Sequence, residues 1–134
     1  MNLIYPALAQ IIWTFVVLAI MTRARMAAFR AGEVRLGEIA VSGERWPPKA
    51  RAAGNNFSNQ FETPVLFFAL IAIAIFIGST GWIMTLLAWI YVASRVVHTF
   101  IHTGPNDVMT RMRVFAVGLA ALFCMLIIVI ATLL

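Results

Sequence analysis

Charge is what this chain has least of. Only 11% of its 134 residues are Asp, Glu, Lys or Arg, against about a quarter in an ordinary soluble domain. So thin a charged shell excludes a water-soluble globule, a disordered chain and a repeat solenoid. A single cysteine, Cys124, excludes an internal disulfide and a thiolate metal cluster. Five acidic residues stand against ten basic ones, a net charge of +5. In a chain this apolar, such an excess orients a membrane protein rather than binding nucleic acid. There is no internal repeat and no low-complexity tract. Hydrocarbon is abundant instead: 63% of the residues are apolar and the mean hydropathy is +0.95.

Four apolar runs account for that excess. Residues 3–22 carry no charge, 61–78 carry only Glu62, 82–101 only Arg95, and 114–134 none. Each run has the length that crosses a hydrocarbon core as a helix, about 20 residues. Their continuous rather than alternating apolarity favours helices over barrel strands. The first run reads as a span and not a cleavable signal, because its basic residues, Arg23 and Arg25, follow it. The expected fold is all-α: one domain over 1–134, an up-down membrane bundle of four helices.

Loop 23–60 holds Arg23, Arg25, Arg30, Arg35, Arg45, Lys49 and Arg51 against Glu33, Glu38 and Glu44. The connection 102–113 adds Arg111 and Arg113 against Asp107, while the opposite side has no charged side chain. Basic loops stay in the cytoplasm, so both termini are expected outside, in the inner membrane if the source is bacterial. Within the loop, Arg23 to Ile39 reads as a basic extension of the first helix and Val41 to Pro48 as a turn. From Lys49 a helix is expected to run unbroken into the second span.

Ionisable groups inside a span are costly and mark either a function or a structural pair. On the second helix Asn55, Asn59 and Glu62 share one face, and Pro64 permits a kink just beyond. On the third, Tyr91, Arg95, His98 and His102 share another. Helix rise puts Glu62 roughly 7–8 Å and Arg95 roughly 10 Å below the same surface. An ion pair between them is expected, either as a structural clamp or as part of a ligand site. His98 and His102 have metal-ligand spacing but no evident third ligand, so hydrogen bonding is the better reading. Cys124 is expected to pack as a small apolar side chain. Trp13, Trp82 and Trp89 read as ordinary span and interface residues, and Gly118, Ala120 and Ala121 allow close helix contact.

Taken in order, Asn59-Gln60-Phe61-Glu62 with Pro64, Arg95-Val96-Val97-His98, and Arg111 opening the last helix resemble the MAPEG superfamily, the membrane-associated proteins in eicosanoid and glutathione metabolism. The resemblance spans essentially the whole chain. It implies a homotrimer of four-helix subunits in membrane lipid, using glutathione as co-substrate against a lipophilic small molecule. By position, Asn59 and Glu62 would hold polar groups of glutathione, with Glu62 at its amino end. Arg23 or Arg25 of a neighbouring subunit would meet a carboxylate, Arg95 and His98 would complete the polar site, and Arg111 would stand near the thiol as the catalytic cation. Two positions depart from the family pattern. Asn55 stands where an arginine is common, and His102 where a tyrosine is common. The resemblance thus implies a glutathione transferase or peroxidase, with a non-catalytic lipid-binding trimer or accessory subunit as the alternative.

Overall fold

The computed structural model describes residues 2–40 and 42–134. Helix α1, Ile4–Arg30, opens where the Asn2 side chain accepts the Ile4 amide at 2.9 Å. It continues past the apolar run into basic sequence and stops at Arg30, short of the expected Ile39. The stop is local: Gly32 takes a left-handed conformation, and the Glu33 amide turns back to the Ala28 carbonyl. A single turn, α2 (Leu36–Ile39), follows, then a 3₁₀ turn at Gly43–Arg45. Val41, at the start of the expected turn, lies outside the described residues.

The second span is not one helix. Helix α3, Pro48–Ser58, gives way to a 3₁₀ turn at Asn59–Phe61, and α4 restarts at Thr63–Phe76. Pro64 accounts for the break, which corrects the expectation of an unbroken helix. It has no amide to offer the Gln60 carbonyl, and its ring displaces that carbonyl, so the preceding turn tightens and Glu62 leaves helical geometry at φ −96°, ψ −99°. Helices α5, Trp82–Thr103, and α6, Val108–Leu133, complete the chain.

Four rods long and apolar enough to cross a membrane result: α1, α3 with α4, α5, and α6. Their order is up-down. The Ser79 and Thr132 hydroxyls, 3.1 Å apart, bring the α4–α5 turn beside the end of α6. The closest helix pair is α5 with α6, where a Cβ on Gly118 would collide with the Ser94 hydroxyl. Ala121 is buried in the same seam, whereas Ala120 faces outward. The apolar core is built from Phe67, Leu70, Ile71 and Ala74 of α4, Met84, Ala88, Tyr91 and Val92 of α5, and Ala121, Leu122, Met125 and Val129 of α6. Phe67 stacks on Tyr91 with ring centres 4.6 Å apart.

Nearer the basic end the interior becomes polar. Gln10 donates to Gln60 at 3.2 Å, Gln60 donates to the Asn56 carbonyl, and Asn56 donates to the Thr99 hydroxyl at 3.2 Å. The Trp13 indole N–H also reaches Thr99, at 3.3 Å. These side chains tie α1 and α3 to α5. Trp13 is thus a hydrogen-bonding partner inside the bundle rather than an ordinary span residue. Cys124 lies exposed on the outer face of α6 instead of packed within it.

Candidate polar site at the basic end

Two polar stripes run along the second rod, and the helix turns them about 100° apart. Asn56 and Gln60 face inward and are buried, whereas Asn55 and Glu62 are exposed and Asn59 is half-buried. Of the residues expected on the third rod, Tyr91, Arg95, His98 and His102 are all buried. Arg95 is only 2% exposed. Its Nη2 donates to the Asn59 backbone carbonyl at 3.1 Å, while its Nε has no partner.

Among the described residues the expected ion pair with Glu62 is therefore not closed. Glu62 remains in electrostatic reach of the guanidinium, but its side chain points outward. The helix break explains the exchange. A carbonyl at the end of a helix lacks its i+4 amide, so the Asn59 oxygen is available, and Arg95 takes it. Tyr91, one turn along α5, meets the Thr63 hydroxyl at 3.0 Å across the same break.

His98 and His102 stack edge to face with ring centres 5.6 Å apart, and both Nδ1 atoms are buried with no partner among the described residues. The charges of both Arg95 and Arg111 act on the two rings. Among the described residues no group of three His, Cys, Asp or Glu could hold a metal ion. Arg111, half-buried in the first turn of α6, donates to the Asn106 side chain at 2.8 Å. Asp107 caps that turn by accepting the Thr110 amide at 2.7 Å. Hydrogen bonds from the Thr110 hydroxyl and amide hold its carboxyl below the usual carboxylate value.

Arg23 and Arg25 separate. Two residues apart on a helix, they point about 200° from each other. Arg25 enters a polar cleft of about 760 Å³ with Arg45, Arg51, Asn55 and Ser58. Its guanidinium lies over the Trp46 ring at 5.1 Å, a cation–π contact that fixes it. Gly54 makes room, since a Cβ there would stand 3.0 Å from Arg25 Nη2. Arg51 Nη1 donates to the Glu44 carbonyl at 3.4 Å. Arg23 lines a different cleft, between α1 and α3.

The exposed stripe therefore starts at a cleft with three guanidinium groups, continues through Asn59, and ends at Glu62 above buried Arg95. Beyond it, α4 and α6 frame an apolar groove of about 250 Å³ lined by Leu66, Ile73, Leu119 and Phe123. Sequence reasoning missed Arg51 and Ser58 as neighbours of Asn55, although both share its helix face. It also missed the inward amides. Asn56 and Gln60 repeat the four-residue spacing of Asn55 and Asn59, but without a charge to draw attention.

The chain matches the family model described as MAPEG family over residues 3–131. No curated protein and no solved structure matches it. With nearly its whole length inside that match, and with four spanning helices in a bundle, the chain belongs to the MAPEG family of membrane proteins.

Proposed function

We propose that the protein is a glutathione-dependent transferase or peroxidase acting on lipophilic electrophiles, with its site completed between copies of the chain. One observation carries this reading. The polar stripe of exposed Asn55, half-buried Asn59 and exposed Glu62 runs along a membrane-spanning rod, over a buried arginine. Of these groups Glu62 lies deepest, and an ionised carboxylate left against acyl chains costs several kcal/mol. A second copy covering the stripe removes that cost and leaves an enclosed polar crevice. The homotrimer is the arrangement the family resemblance implies.

In that crevice the residues divide the tripeptide between them. Arg25, fixed over Trp46, and Arg51 meet its carboxylates, and they stand in for the arginine that Asn55 replaces. Glu62, free of Arg95, accepts from its ammonium group. Asn59 supplies amide hydrogen bonds, and His98 and His102 supply imidazole nitrogens. Arg111 stands near the thiol. A free thiol has a pKa near 8.5, and an adjacent guanidinium, permanently charged, favours the thiolate. The thiolate then attacks the electrophilic carbon, a carbon–sulfur bond forms, and the leaving group departs with its electron pair. The apolar α4–α6 groove receives the lipophilic partner from the bilayer. With the basic loops in the cytoplasm and the termini outside, the crevice faces the compartment that contains glutathione.

A non-catalytic lipid-binding trimer or accessory subunit is the second reading, favoured by Asn55 and His102 at two ligand positions. Titration of the purified protein with glutathione separates the two. Thiolate absorbance in the ultraviolet, with calorimetric binding, supports the enzyme. Absence of both at millimolar glutathione overturns it.

A further inference from the structure

A second large cleft lies away from the polar stripe. It occupies about 800 Å³ between the basic extension of α1 and the start of α3, and Thr103, the last residue of α5, forms part of its wall. Its floor is alanine: Ala24, Ala27, Ala28 and Ala31 from α1, with Ala50 and Ala53 from α3. Ala28, Ala50 and Ala53 are buried where the two helices touch, so the groove owes its depth to their small side chains.

Three charged side chains share the cleft: Arg23, Lys49 and Glu33. All three are exposed, and none has a side-chain hydrogen bond or ion pair among the described residues. Opposite charges that line one cavity without pairing leave a gap that a dipolar ligand can bridge. Ile20, from the uncharged part of α1, also lines the cleft. It therefore straddles the level at which the spans leave the hydrocarbon and the charges begin.

We propose that this cleft seats the headgroup of a phosphoethanolamine lipid, its phosphate between Arg23 and Lys49, its ammonium at Glu33, and its glycerol on the alanine floor. Charge complementarity selects this headgroup. The two cations match one phosphate, and the carboxylate matches an ammonium that can donate hydrogen bonds. A phosphoglycerol headgroup offers Glu33 no cation. A phosphocholine headgroup offers a quaternary cation with no N–H. The site is independent of thiol chemistry and stands whether or not the protein uses glutathione.

The test is lipid retention by the full-length protein, measured by native mass spectrometry from detergent. Phosphatidylethanolamine, phosphatidylglycerol and phosphatidylcholine with identical acyl chains serve as probes. Phosphatidylethanolamine should be retained in preference to both others. Glu33→Gln should reduce its preference over phosphatidylglycerol by about two- to fivefold, as for loss of one exposed charged contact. Arg23→Gln with Lys49→Gln should weaken both of those lipids, and Ala27→Phe, which fills the groove from an exposed position, should weaken all three. Equal retention of the three lipids would overturn the proposal, as would tighter retention of phosphatidylglycerol, which indicates only a basic surface. Retention of none, as when a second copy fills the cleft, would overturn it as well. The comparison of lipids on the unmodified protein needs no variant to fold.

Discussion

Arg95 and Glu62 show how a helix break reassigns a charge. Arg95 is held by a backbone carbonyl within its own chain, while Glu62 is left without an ionic partner there. The two should therefore respond differently to substitution. Arg95→Met takes a donor from the Asn59 carbonyl at a half-buried helix break and should cost about 1 kcal/mol of stability, read as a lower thermal midpoint in detergent. Glu62→Gln should leave that midpoint unchanged and weaken glutathione binding in calorimetry. Asp107 supplies a pH-dependent contact outside the membrane. Hydrogen bonding from Thr110 lowers its carboxyl pKa in the folded chain, so its contribution is present above the ordinary carboxylate value and is lost as pH falls through the lowered one. The protection of the Thr110 amide, its exchange rate relative to the intrinsic rate at the same pH, should fall across that acidic range, and Asp107→Ala should remove the same protection at neutral pH.

At the scale of the element, the second rod carries most of what the amino-acid order did not disclose. The spans themselves were legible, because a run such as 114–134, without a single charge, has few alternatives to a membrane helix. The face of α5 was legible too, since Tyr91, Arg95, His98 and His102 repeat at helical spacing and all are buried. On α3 the spacing marked two stripes, and the charged one drew the assignment inward. Energetics favours the reverse. Inside the bundle the Asn56 amide donates to Thr99, and the Gln60 amide accepts from Gln10 and donates to the Asn56 main-chain carbonyl, whereas a carboxylate without a cation stays out. Pro64 announced a kink, but nothing in the order of residues said that the freed Asn59 carbonyl would capture Arg95. Pro64→Ala restores the missing amide, so α3 and α4 should join, withdraw that carbonyl, and weaken glutathione binding more than stability. On the other side of the bundle, Gly118→Val should overpack the α5–α6 seam at a cost of about 1–3 kcal/mol, measured as a lower thermal midpoint.

For the whole molecule, the proposed trimer requires a second copy to cover the exposed stripe. Asn55→Cys, in a Cys124→Ala background, tests it. The new thiol is exposed in the single chain and should be protected from a soluble maleimide in membranes. It should become reactive once detergent separates the copies. Equal labelling in both states would show the stripe uncovered.

The interruption at Glu62 also bears on kinetics. Because the break at Asn59–Glu62 divides α3 from α4, the end at which we propose glutathione is held and the end that lines the apolar groove belong to different helical segments. Occupation of one then places little strain on the other. Two-substrate saturation curves should accordingly follow a random order of addition, with each Michaelis constant nearly indifferent to the concentration of the other reactant.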